Sequence, residues 1–230
     1  ASERFDKIAT VRNVHNWSQL VELQEHFDND REKWIYRGLR SASWNLETTL
    51  ERAVRRFDRH GVPTLALEGG LIRQFQRRAH HYLPDVPGKD KWIEWLSLMQ
   101  HYGAPTRLMD WTYSFNVALH FAVEGFGLDE NDKSCVIWAF ELNWMEEQLK
   151  RILSRRNWSL VNKEDRNLEE AETFKRVFAN RKHLRTSLVC AVNPFRLNQR
   201  LSIQQGIFLC PGDISKPFQD NFAAMFSAMK

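Results

Sequence analysis

Hydrophobic residues recur at helical spacing over residues 17–28, where Trp17, Leu20, Val21, Leu23 and Phe27 line up behind Asn16 as N-cap. Residues 46–58, 64–83 and 89–101 also read as helices. Leu71, Ile72, Phe75 and Ala79 mark the apolar face of the second of these, and Trp92, Ile93, Trp95, Leu96 and Met99 that of the third. The period changes at Lys33–Gly38, which alternates, is rich in aromatic and β-branched residues, and reads as a strand ending at glycine. Residues 101–114 read as a compact irregular stretch, followed by a helix over Phe115–Val123 and a strand over Ser134–Leu142. Residues 143–153 and 168–182 look helical, Leu188–Val192 and Gln205–Cys210 look like short strands, and residues 218–228 close the chain as a helix. A few strands among long helical stretches, without strict βαβ alternation, predict an α+β fold. No Gly/Pro-rich linker divides the chain. A single domain over residues 1–230 is expected, with its core at about 17–142 and 184–212 and a helical insertion at about 143–183.

Composition narrows the class. Of the 230 residues, 43% are hydrophobic and 27% charged, which excludes a disordered chain. No apolar run approaches the ~20 residues needed to span a bilayer, so no membrane association is expected. No secretory leader is recognisable. Three widely spaced cysteines (Cys135, Cys190 and Cys210) form no disulfide framework or zinc motif and read as buried thiols in strands, consistent with a reducing, cytoplasmic setting. The 33 basic and 29 acidic residues are unevenly placed: residues 150–200 hold 13 Lys/Arg against 5 Asp/Glu. Such a segment suits a phosphate-bearing or acidic partner, or forms a solvated helical face.

The densest chemistry lies in QHYGAPTRLMDWT, residues 100–112. Polar groups set between two apolar helices are where function concentrates. The same residues also admit a structural reading. Gly103 and Pro105 break a helix, Asp110 caps the next one, Arg107 pairs with Asp110 or Glu124, and Trp111 fills the core. No P-loop, no Gly-x-Ser-x-Gly elbow and no His-Glu-x-x-His appears. His80 and His81 point about 100° apart on a helix and make no metal pair, so no metal site is expected.

Tyr36-Arg37-Gly38, Gln100-His101-Tyr102-Gly103, Pro105-Thr106-Arg107-Leu108, Asp110-Trp111-Thr112, Ala118-Leu119-x-Phe121-Ala122 and Gln204-Gln205-Gly206-x-Phe208 come in the order of the FRG domain, which the chain resembles over about residues 17–210. A weaker resemblance is to the arginine–serine–glutamate class of ADP-ribosyltransferases. There a strand ending in Tyr-Arg is followed by a Ser-Thr-Ser strand and a Glu-bearing strand. It implies an ADP-ribosyltransferase-like core with a small mixed or antiparallel sheet, and NAD as substrate.

On that resemblance Arg37 holds the pyrophosphate, since a guanidinium offers paired donors and fixed charge. Thr112 and Gln205 hold the nicotinamide-side ribose. His101 or Asp110 supplies acid–base or electrostatic work on the developing oxocarbenium ion, with Arg107 orienting Asp110. Gly38, Tyr102, Thr106 and Trp111 complete the ligand-binding set, Trp111 by stacking on a ring. The pattern departs from the transferases in having glutamine at the third motif and Asp-Trp-Thr at the second. The expectation is transfer of ADP-ribose from NAD, or NAD hydrolysis, to a protein or nucleic-acid acceptor recruited by the 150–200 segment. The bacterial and phage context of the FRG family implies a toxin or defence effector. Two alternatives stand beside it: a non-catalytic nucleotide or nucleic-acid recognition module, and a metal-independent nuclease or hydrolase.

Overall fold

A computed structural model of the chain describes residues 9–57, 61–125, 134–154, 186–194 and 199–227. Among them are eight helices and a five-stranded antiparallel sheet, which makes the domain α+β. The strands are β1 (Trp34–Leu39), β2 (Met109–Thr112), β3 (Val136–Glu141), β4 (Val189–Val192) and β5 (Gly206–Pro211), in the order β3-β1-β2-β5-β4. The helices are α1 (Trp17–Asp28), α2 (Thr49–Arg56), α3 (Thr64–Ala79), α4 (Trp92–His101), α5 (Phe115–Val123), α6 (Leu142–Ser154), α7 (Gln199–Ile203) and α8 (Phe218–Ser227).

Local chemistry accounts for the helix starts. The Asn16 side chain accepts the Gln19 N–H at 3.0 Å, and the Ser114 hydroxyl accepts that of Val117 at 3.3 Å. Thr48 and Glu51 form a reciprocal capping box at α2. The Glu51 carboxylate also accepts the Phe218 N–H at 2.6 Å, which ties the start of α8 to α2. Burial pushes the Glu51 carboxyl above the ordinary carboxylate value, against the lowering effect of these hydrogen bonds.

Alternation along β1 separates two cores. Ile35 and Leu39 join the larger one, with Met109, Trp111, Phe208, Leu209 and residues of α4, α6 and α8. Tyr36 joins the smaller, where Phe27 of α1 and Phe115 of α5 meet its ring edge-on or nearly so at 5.5 Å each. Phe140, Trp144, Phe222 and Phe226 form an aromatic stack that fastens β3 and α6 to α8.

Two features differ from the sequence expectation. Residues 101–114 are not wholly irregular: Met109–Thr112 form β2, the central strand. Four residues are too few for alternation to be read, and Asp110 masks the apolar pair Met109 and Trp111. Helix α6, assigned above to an insertion, packs Met145, Leu149 and Leu153 into the main core. The expected helix at 168–182 lies outside the described residues. Cys190 and Cys210 are buried in facing strands, Cys135 is partly buried, and all three are free thiols. No helix among the described residues is long and apolar enough to cross a membrane.

Candidate functional site

Strands β1 and β2 share a single register pair, Tyr36 with Thr112. Beyond it a side chain replaces the ladder: Arg37 Nη1 donates to the Asp110 carbonyl oxygen at 2.5 Å. A cleft of about 740 Å³ opens here, of a size suited to a small-molecule ligand. Tyr36 to Arg40 form one wall, Asp110 to Thr112 another, and Val117, Ala118, Phe121 and Glu124 of α5 a third. Loop residues Ser43, Trp44, Asn45 and Glu47, with Arg52 and Arg55 of α2, close the remaining side, and Gln204 reaches in from the turn before β5.

Four arginines (Arg37, Arg40, Arg52 and Arg55) line this cleft against three carboxylates, Glu47, Asp110 and Glu124. Glu47 engages two of the arginines: Arg55 bonds its carboxylate at 2.6 Å and Arg52 its carbonyl oxygen at 3.1 Å. Arg37 is in a different state. Its Nε is buried without a hydrogen-bond partner. Burial lowers the guanidinium below its ordinary value, Asp110 opposes this, and Arg52 adds to it. A buried guanidinium with an unsatisfied donor is a candidate contact for an anionic ligand.

The 100–112 segment turns out to be largely a positioning device. Gly103 takes φ +75°, which lets the chain reverse after α4. Gln100 Nε2 then donates to Asp110 Oδ2 at 3.0 Å and to the Leu108 carbonyl at 3.3 Å. The Gln100 carbonyl oxygen accepts from the hydroxyls of Thr106 and Thr49. Thr49 is bonded in turn to both the N–H and the C=O of Thr106, at 2.9 and 3.0 Å. The result is an Asp110 carboxylate anchored on one side by Gln100.

Several sequence expectations require correction. Arg107 does not orient Asp110. It makes a bidentate, buried pair with Glu68 of α3, both residues 3% exposed or less. Burial alone would lower the Arg107 guanidinium, but Glu68 outweighs it and holds the group above its ordinary value. Thr106 is fully buried within the Gln100 network, and Tyr102 is 55% exposed, away from the cleft. Gln205 takes φ +47° and points into solvent, so its neighbour Gln204 lines the cleft instead. The Thr112 hydroxyl is committed to the Gln204 carbonyl at 2.7 Å and accepts the Ser114 N–H at 3.0 Å. Trp111 lines the cleft but is only 3% exposed, with its ring in the main core, so it offers no open face for stacking. His101 is exposed and borders a pocket of about 10 Å³ on another side of Asp110.

Arg37, Gly38, Asp110, Trp111 and Thr112 are therefore brought together at the cleft, and the other five expected residues are not. Gly38 is required by packing: a Cβ there would stand 1.9 Å from the Ala118 carbonyl oxygen. Sequence reasoning missed Arg40, Trp44, Glu47, Arg52 and Arg55. Arg52 and Arg55, three residues apart on a predicted helix directly after the Tyr-Arg-Gly strand, were the available signal. Among the described residues no group of three or more His, Cys, Asp or Glu side chains is arranged to hold a metal ion.

Neither a curated protein nor a solved structure shows significant similarity to the chain. Residues 32–131 match the FRG domain model. That span holds β1, the arginine-bearing loop, α2 to α5 and β2, and so contains nearly every wall of the cleft. The chain thus carries an FRG domain, and the cleft is built almost wholly from it.

Proposed function

We propose that the cleft binds a phosphate-bearing nucleotide, with NAD as the substrate and cleavage of its nicotinamide–ribose bond as the reaction. The observation that carries this reading is Arg37: a guanidinium held where strands β1 and β2 part, its Nε unsatisfied, among three further arginines. A pyrophosphate would satisfy those donors and offset the cost of keeping the charge there. Asp110, whose carboxylate Gln100 anchors, would stabilise the oxocarbenium ion. The C1′–N bond breaks with its electron pair leaving on nicotinamide. Water, or a hydroxyl or amine of an acceptor, then adds to C1′ and gives up a proton. In a bacterial or phage setting such a reaction would serve a toxin or defence effector.

A second reading, nucleotide recognition without turnover, draws support from the outward turn of Gln205 and the committed hydroxyl of Thr112. Incubation with NAD and assay for free nicotinamide separates the two. Release that falls at least about 100-fold in Asp110→Asn, with NAD affinity retained, supports catalysis. Tight NAD binding with no release in the native chain favours recognition alone.

A further inference from the structure

We propose that the loop between β1 and α2 carries a nucleobase subsite with Trp44 as its stacking platform; this rests on the nucleotide reading of the cleft and adds where the base sits. Trp44 is 45% exposed yet lines the cleft. Large aromatic side chains are usually buried, and an exposed indole at the edge of a polar cleft has an apolar face to cover. The more exposed aromatic residues Trp17, Phe57, Tyr82 and Tyr102, 70%, 64%, 82% and 55% exposed, do not line it. Trp111 lines it but is packed away in the core.

The loop around Trp44 is held in shape before any ligand arrives. The Trp44 N–H donates to the Ser41 carbonyl at 3.1 Å, and the Ser41 and Ser43 hydroxyls are hydrogen-bonded at 2.8 Å. The Ala42 N–H donates to the Ser134 carbonyl at 2.7 Å, just ahead of β3, and Asn45 accepts from Gln219 of α8 at 3.2 Å. The Arg40 guanidinium lies 5.1 Å from the centre of the Trp44 ring. The indole thus lines the same cleft as the four arginines and Asp110, with Arg40 beside its ring. A nucleotide offers a partner to each, an aromatic base joined to phosphates. Base-on-indole stacking needs no particular base edge, so Trp44 supplies affinity for the base and the arginines affinity for the phosphates.

Calorimetric titrations with ADP and with pyrophosphate test this. In the native chain ADP binds more tightly than pyrophosphate. Trp44→Ala weakens ADP about tenfold or more and changes pyrophosphate less than about threefold, while Trp44→Phe keeps most of the ADP affinity. An equal loss for both ligands in Trp44→Ala, or an unchanged ADP affinity, overturns the subsite and leaves the phosphate cleft standing. ADP binding no tighter than pyrophosphate to the native chain does the same. Failure of the native chain to bind either ligand removes the nucleotide reading and the subsite with it.

Discussion

Gly38 and Ala118 meet backbone to backbone: the Ala118 carbonyl oxygen lies 1.9 Å from where a Gly38 Cβ would stand, and the Ala122 nitrogen 2.6 Å away. This contact lets α5 lie directly on β1 and form a wall of the cleft. Backbone cannot move aside as a flexible side chain can. Gly38→Ala is therefore expected to cost about 3 kcal/mol, read as a lowered urea midpoint. A loss under about 1 kcal/mol would show that α5 does not need this close approach.

Two arginines of the FRG domain should behave oppositely. Arg107 is matched by Glu68, so Arg107→Met leaves a buried carboxylate unpaired and should cost about 3–5 kcal/mol; adding Glu68→Leu should restore much of that. Burial lowers the folded Arg37 guanidinium below its ordinary value, so its charge detracts from stability. Arg37→Met should shift stability by less than about 1 kcal/mol while removing nucleotide binding. Urea unfolding of the variants, together with binding assays, checks both halves.

Gln100 should act as a stability residue whose loss also frees Asp110. Gln100→Leu leaves the Thr106 hydroxyl without its acceptor and removes the bonds to Leu108 and Asp110. A cost of about 2–3 kcal/mol is expected from the unsatisfied buried partners. Thermal unfolding measures it, and a shift of only a degree or so would contradict the network described here.

Glu51 predicts a pH trend. Its folded-state value lies above the unfolded one, because burial outweighs the cap bonds. Its favourable contribution is then complete below the unfolded value of about 4.3 and is lost as pH rises through the raised folded value. Glu51→Gln keeps one acceptor and cannot ionise, so it starts less stable. It should gain on the native chain as pH rises from about 4 through the raised folded value when urea midpoints are compared. A gap that widens with pH would contradict the sign.

Much of this was legible in the sequence. The 3.6-residue period locates α1 and α5 to the residue, and Asn16 and Ser114 fix where the two helices begin by capping them. The Tyr-Arg-Gly strand and Asp110 stand together in the sequence through the motif order of the FRG domain. The roles inside 100–112 were harder. Arg107 pairs with Glu68, 39 residues earlier, and no local spacing reports such a contact. In the sequence Gln205 is favoured over Gln204 because it adjoins Gly206, but its positive φ breaks the alternation there and Gln204 lines the cleft. Arg52 and Arg55 look like any basic helix face until α2 is placed beside β1.

The central claim is that Arg37 anchors a nucleotide in the cleft between β1 and β2. Calorimetric titration of the chain with NAD, beside Arg37→Met, tests it most directly. Saturable heat from the native chain that vanishes in the variant, with the variant's fold intact, is the predicted result. Absence of binding to the native chain at about millimolar NAD, or undiminished binding to Arg37→Met, would contradict it.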